Sequence, residues 1–349
     1  MADFDLDRRQ LMGVLALGAV AGVVGVPEVA FAQGRGSGPS SSAIQAALDS
    51  AYGKYRGLNE GKNADYIPAL AEVPSNFFGI AIVTADGTVY QAGDSKQEFS
   101  IQSVSKPITA ALVMQESGSK LIEDSVGVDA TGQVFNSITA VEQYRGKEMN
   151  PLVNPGAIAT VGNVKGTPDE VWNKIIGIHS DMAGRQLQVN QPVYQSEAAT
   201  NQRNRAIGSL MSAYERFPSD PAVAVDLYTR QCSINVNAVD LATMAATLAF
   251  GGRNPVTKKQ VLDPSIVPGV LAIMATAGMY DDSGKWAFHT GGVPAKSGVG
   301  GGILAVVPGK FGIGTFAPPL DDAGNSVRGQ KAIIDIVNEL KANPYAQFG

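Results

Sequence analysis

A serine and a lysine that could together perform acyl transfer stand three positions apart in Ser103-Val104-Ser105-Lys106. On a helix, that spacing puts hydroxyl and amine on one face. A lysine shielded from water can lose its proton and become the base that a serine nucleophile needs. At a helix N-terminus the serine also gains unpaired backbone N–H groups, suited to a developing oxyanion. Ser105 adjoins the lysine and is expected to point elsewhere, so Ser103 is the candidate nucleophile and Lys106 its base. A Ser-x-x-Lys match arises about once by chance in a chain this long. Indeed Ser117-Gly118-Ser119-Lys120 also fits. The second match follows a helix and contains a turn glycine, so it reads as solvated loop.

The remaining reactive residues narrow the class. With one cysteine, Cys232, no intrachain disulfide or thiolate-rich metal site can form. The two histidines, His179 and His289, lie far apart without ligand spacing, which argues against zinc and against a Ser-His-Asp triad. Each reads as a hydrogen-bonded structural residue. No metal or cofactor is expected.

These groups need a framework. The chain has 349 residues, 44% hydrophobic and 17% charged, enough for a sizeable core in one large domain or two interleaved ones. A net charge of −5 with scattered lysines and arginines argues against a nucleic-acid partner. Residues 43–55 have helical spacing, with Ile44, Ala47, Leu48 and Ala51 on one face. Residues 77–84 and 88–91 read as strands joined at Ala85-Asp86-Gly87, a hairpin turn. An apolar helix is expected from 103 to 116, closed by Gly118. The middle of the chain is mostly helical in pattern, most clearly at 204–217, 221–231 and 238–250. Two further strands, 302–307 and 311–317, flank Pro308-Gly309-Lys310, and 327–342 reads as a final amphipathic helix. Strands from both chain ends thus bracket a helical middle. The expected fold is α+β: a central antiparallel sheet built from both ends, flanked by helices, with a helical subdomain inserted. Its sheet parts would be about 43–118 and 281–349, its helical part about 119–280.

Residues 1–32 read as an address. Arg8-Arg9 precede an apolar run from Leu11 to Val26, and Ala30-Phe31-Ala32 offers small residues for cleavage. The paired arginines point to twin-arginine export to the periplasm or medium. The run is short for a membrane span, so no stable span is expected after cleavage. If the signal is not used, the protein stays cytoplasmic. Residues 33–42, rich in glycine and serine, read as a flexible linker into the domain at 43–349.

A second element strengthens the Ser103/Lys106 reading. Lys296-Ser297-Gly298 precedes a glycine run and a strand, and resembles the Lys-Thr/Ser-Gly triplet of penicillin-recognising serine hydrolases. More of the chain, about 43–340, resembles the serine-dependent glutaminases, which share the serine β-lactamase/penicillin-binding-protein-like fold. The motifs carrying this are Tyr66-Ile67-Pro68, Gln102-Ser103-Val104-Ser105-Lys106, Asn150-Pro151-Leu152-Val153-Asn154, Ser196-Glu197, Arg203-Asn204, Gln231-Cys232-Ser233-Ile234, Gly278-Met279-Tyr280-Asp281, and Pro294-Ala295-Lys296-Ser297-Gly298-Val299. Pro318-Pro319-Leu320-Asp321 and Gly324-Asn325-Ser326-Val327 also match.

The resemblance implies hydrolysis of L-glutamine through a glutamyl ester on Ser103, with Lys106 as base. Tyr280 or Tyr228 would relay a proton to the leaving amine. The backbone N–H groups of Ser103 and Val299 would form the oxyanion hole, with Lys296, Ser297 and Gly298 in support. Glu197 would take the substrate ammonium, while Asn154, Asn204, Tyr66 and Tyr228 would hold its carboxylate and side-chain amide. The family is commonly dimeric or tetrameric, so a homodimer or homotetramer is implied. Family members are usually cytoplasmic, which makes the leader a departure. Two others are Pro155, where alanine is usual, and Asn201-Gln202, where the family carries Gly-Asp. An exported β-lactamase or D,D-peptidase shares the Ser-x-x-Lys and Lys-Ser-Gly elements. It lacks Val153-Asn154-Pro155-Gly156-Ala157-Ile158 and Gly278-Met279-Tyr280-Asp281, and this chain has no Ser-Asp-Asn-like element. A periplasmic glutamine-binding protein without turnover is the other alternative.

Overall fold

A computed structural model describes residues 38–345. The expected leader and residues 33–37 of the linker lie outside the described residues. The first helix, α1 (Ser41–Tyr55), starts inside the stretch read as linker, because the Ser40 side chain accepts from the Ala43 N–H and caps it. Its inward face is Ile44, Ala47, Leu48 and Ala51, as the spacing predicts.

Strands β1 (Gly79–Thr84) and β2 (Val89–Gly93) form the expected hairpin. Gly87 sits in its turn at φ +90°, a conformation open to glycine. A two-residue strand, β3 (Phe99–Ser100), pairs with β4 (Asn235–Val236). Near the C-terminus lie β5 (Ala295–Ser297), β6 (Gly302–Val307) and β7 (Phe311–Phe316). The five-stranded sheet has the order β2-β1-β7-β6-β5, antiparallel throughout, so β1 from one chain end pairs with β7 from the other. The expected α+β architecture holds. The three-residue β5 is too short to show a period, and the sequence reading left it out of the strand set.

Strand alternation divides the sheet between two cores. Ile80, Ile82, Ile303, Ala305, Phe311 and Ile313 face α1 and the last helix, α9 (Val327–Glu339). Ala81, Val83, Leu304, Val306 and Phe316 face the helical side. There the helices used below run in chain order: α2 (Lys106–Ser117), α3 (Asn154–Gly162), α4 (Pro168–Ala183), α5 (Gln191–Thr200), α6 (Gln202–Ala213), α7 (Pro221–Cys232) and α8 (Ala238–Ala249).

Although α8 falls within the stretch read as an inserted helical part, it packs directly on β1, β6 and β7. Its alanines and two glycines of β7 make this possible. A Cβ on Gly312 would stand 2.1 Å from Ala246 N, and one on Gly314 would stand 2.1 Å from Ala238 O. Any larger residue on β7 would push the helix off the sheet. The sheet is therefore covered on both faces, and the helical side continues outward from α8 through α4 and α7 without a break in the core.

Candidate active site

Ser103 and Lys106 sit where β3 gives way to α2. The Ile101 N–H donates to Ile234 O, fixing the chain just before the serine against the segment after α7. Gln102 then adopts φ +49°, a strained backbone for a residue with a side chain. A 3-10 turn spanning Gln102–Ser105 leads into α2, with Pro107 in its first turn, where a missing N–H costs no bond. Ser105 points away, as expected. It donates to Gln102 O at 2.7 Å and accepts from Gln231 Nε2 at 2.9 Å, while Thr109 donates to Gln231 Oε1 at 2.6 Å.

Lys106 is 1% exposed. Burial lowers its pKa from the ordinary lysine range to about 8. No hydrogen bond joins Lys106 to Ser103. Instead Nζ donates to Asn154 Oδ1 at 2.7 Å, and the same oxygen accepts from the Tyr228 hydroxyl at 3.1 Å. Asn154 Nδ2 in turn donates to Asn204 Oδ1 at 3.0 Å, linking α2, α3, α6 and α7 in one polar chain. Gly156 in α3 permits this placement: a Cβ there would stand 1.8 Å from Asn150 O.

Tyr66, Ser103, Asn154, Glu197, Asn204, Tyr228 and Val299 line one cavity of about 290 Å³. Glu197 projects from α5 and is 7% exposed. Burial raises its pKa to about 7, against the opposing pulls of the Gln102 hydrogen bond and Lys106. Gln102 Nε2 donates to Glu197 Oε2 at 3.2 Å, and no cation pairs with this carboxylate among the described residues. Tyr66 stands at the mouth, 54% exposed. Val299 N–H donates to no group among the described residues, and Ser103 N–H lies in the first turn of its helix, where donors have no partner. Gly298 brings the two segments together, since a Cβ there would stand 3.3 Å from Ser103 N.

Tyr280 lies outside the cavity lining but beside Ser103. Burial raises its pKa, the Ser103 hydroxyl opposes the shift, and its Oη has no hydrogen-bond partner of regular geometry. It adopts φ +52°, so strained backbones flank the serine on two sides. Lys296 does not enter the cavity. Its buried Nζ donates to Gly278 O at 3.0 Å and Ser297 O at 2.6 Å, 4.2 Å from the Tyr280 ring centre. Burial and the nearby Lys106 push the Lys296 pKa well below the ordinary lysine range, so its amine packs against the Tyr280 ring without being held as a cation.

Comparison with known proteins identifies the family. The family described as Glutaminase matches residues 61–345. A glutaminase of Colwellia psychrerythraea is 50% identical over 306 residues, covering 87% of this chain and 98% of the relative. One of Brucella canis is 50% identical over 313 residues, covering 89% and 98%. Among solved structures, the probable glutaminase ybaS superposes with a TM-score of 0.86 at 47% identity, covering 88% of this chain and 99% of that one. The chain belongs to the glutaminase family.

A probable glutaminase from Bacillus subtilis, complexed with 6-diazo-5-oxo-L-norleucine, superposes at 0.77 with 28% identity, covering 88% and 98%. Membership makes the chain a hydrolase of the amidohydrolase type. Within the cavity, some residues carry no local signal. Gln102, Phe135, Asn136, Thr200, Asn201 and Arg203 also line the cavity, and sequence reasoning gave none of them a role. Gln231, noted only as part of a matching motif, locks the first turn of α2 through Ser105 and Thr109. His179 is structural, as expected: its Nδ1 lies 2.7 Å from Ile175 O, and burial lowers its pKa to about 4. His289 is not. It is exposed on the helix Ser283–Thr290 and makes no side-chain hydrogen bond among the described residues. The second Ser-x-x-Lys is solvated, but it opens a short helix, Ser119–Ser125, instead of lying in a loop.

Proposed function

We propose that this cavity hydrolyses L-glutamine to L-glutamate and ammonia through a glutamyl ester on Ser103. The supporting observation is one cavity of amino-acid size where a serine beside a buried lysine meets two uncommitted backbone donors and an unpaired carboxylate. Ser103 Oγ attacks the side-chain amide carbon while its proton passes to neutral Lys106. The bond to Asn154 occupies one N–H of that amine and leaves its lone pair for the serine. The N–H groups of Ser103 and Val299 hold the developing oxyanion. Collapse expels ammonia, which takes the proton from Lys106 relayed through the uncommitted Tyr280 hydroxyl, so Lys106 is neutral again and Tyr280 keeps a proton. The Tyr228 proton is spent on Asn154, which suits it to positioning. Water then attacks the ester as Lys106 accepts its proton, and Lys106 passes that proton to the departing Ser103 Oγ, releasing glutamate and restoring both residues.

Glu197 takes the substrate ammonium, and that cation pulls its raised pKa back down so the pair is ionic. Asn154, Asn204, Tyr66 and Tyr228 hold the carboxylate and amide. The compound in the Bacillus subtilis structure keeps an α-amino acid head and carries a ketone at the carbon where glutamine carries its amide, which fits this orientation.

The decisive assay is ammonia release from glutamine and asparagine by wild type and Ser103→Ala. Wild type should release ammonia from glutamine and far less from asparagine, whose shorter side chain stops short of Ser103. Ser103→Ala should release none. Retained activity in that variant overturns the serine mechanism. Turnover of a chromogenic β-lactam without ammonia from glutamine overturns the substrate, and glutamine binding without any turnover overturns the reaction.

Arg8-Arg9 and the apolar run behind them support export, tested by fractionation of the source cell. Among the described residues no helix is long and apolar enough to cross a membrane. A homodimer or homotetramer is the expected assembly, tested by light scattering.

A further inference from the structure

Asn201 stands at the start of α6, where asparagine ordinarily spends its side-chain oxygen on the helix's free N–H groups. Here it makes no such cap. The side chain is turned inward instead, 7% exposed, with Nδ2 donating to Thr229 Oγ1 at 3.3 Å. Thr229 donates its own proton to Val225 O at 2.8 Å, which fixes the direction of that bond and leaves Asn201 Oδ1 as an acceptor. That oxygen is buried and accepts from nothing among the described residues. Giving up a cap while burying an unpaired carbonyl destabilises the protein twice over, and such a group calls for a partner.

The cavity supplies the setting for one. Asn201 lines it together with Glu197, four residues earlier in the chain. An ammonium carries three donors, and one carboxylate does not satisfy them all. We propose that Asn201 is a substrate-specificity residue, its Oδ1 accepting a hydrogen bond from the α-ammonium that Glu197 neutralises. This rests on the reading of Glu197 as the ammonium partner. Asn201 is also one of the two positions where the chain departs from the family pattern beside Glu197, so the second acceptor would be a feature of this chain.

The test compares two competitive inhibitors of glutamine turnover, L-glutamate and glutarate, which differ by the α-ammonium. Asn201→Ala should raise the KM for glutamine and the Ki for L-glutamate about tenfold, the usual worth of one such bond, with kcat within about twofold. The Ki for glutarate should stay put. Tm should change little, because no cap is lost and removal of the unsatisfied acceptor offsets the lost bond to Thr229. Asn201→Gly, which restores the family residue, should reproduce the inhibition pattern. Equal losses for both inhibitors, or none for either, overturn the proposal, as does a fall in Tm that tracks the loss. Glu197→Gln run alongside separates the two readings: if it too fails to discriminate glutamate from glutarate, the error lies in the ammonium site and not in Asn201 alone.

Discussion

Two Ser-x-x-Lys segments lie fourteen residues apart in this chain, and they differ in everything but sequence pattern. Lys106 is 1% exposed, without a carboxylate in contact, and its pKa falls to about 8. The Lys120 side chain is 79% exposed, pairs with Asp124 at 2.8 Å, and its pKa is raised. Desolvation penalises the charged form of the first, while a neighbouring carboxylate favours the charged form of the second. Only the first can be neutral near physiological pH, and only a neutral amine can accept a proton from serine. The motif itself is therefore permissive. Burial beneath α3 and α7 lowers the pKa of one lysine, and a turn glycine at φ +85° leaves the other on the surface.

Mutation can break that contrast directly. Ser103→Ala should lower kcat by at least about 10⁴-fold, as removal of a nucleophile does, whereas Ser117→Ala should leave it unchanged; both are read by ammonia release. Lys106→Met, which keeps the packing and removes the base, should cost about 10³-fold in kcat. A Lys106→Met enzyme with normal kcat would move the base elsewhere.

The pH profile sharpens the comparison. Lys106 must be neutral and Glu197 ionised, with pKa values near 8 and 7. Both requirements favour higher pH. So kcat/KM should fall about tenfold per unit below pH 8 and about a hundredfold per unit below 7, where both groups are in the wrong state. A profile flat from pH 6 to 9 would contradict the buried-lysine mechanism. Asn154→Ala, which removes the closer of the two acceptors of Lys106 and leaves Leu152 O at 3.5 Å, should lower kcat/KM by about 10–100-fold and shift the acid limb. Smallest of all, Lys120→Met should leave kcat, KM and Tm where they were, since an exposed pair contributes little.

Local pattern carried much of the fold. The inward face of α1, the β1–β2 hairpin and the bounds of β6 were readable because each depends on a period of 3.6 or 2 within one element. The helix expected at 204–217 runs instead over Gln202–Ala213, between Asn201, which makes no side-chain cap, and Tyr214. The site was legible as a set of residue types and not as a geometry. Ser103 and Lys106 were found by spacing, yet the lysine's visible partner is Asn154, 48 positions away. Glu197 could equally have been a solvated carboxylate until Gln102, 95 positions earlier, was seen to hold it in a buried place.

By itself, then, the sequence determined the chemistry available: a serine and a lysine three positions apart, and strands toward both ends of the chain. Tertiary structure alone decided which lysine loses its proton, which hydroxyl stays free, and that Asn201 turns inward. Hydrophobic periodicity reports on neighbours within an element, whereas pKa and hydrogen-bond partnership are set by groups that approach only after burial. Ser103-Val104-Ser105-Lys106 and Ser117-Gly118-Ser119-Lys120 are equivalent on paper, and the surroundings of each lysine, burial for one and the Asp124 carboxylate for the other, move their pKa values in opposite directions.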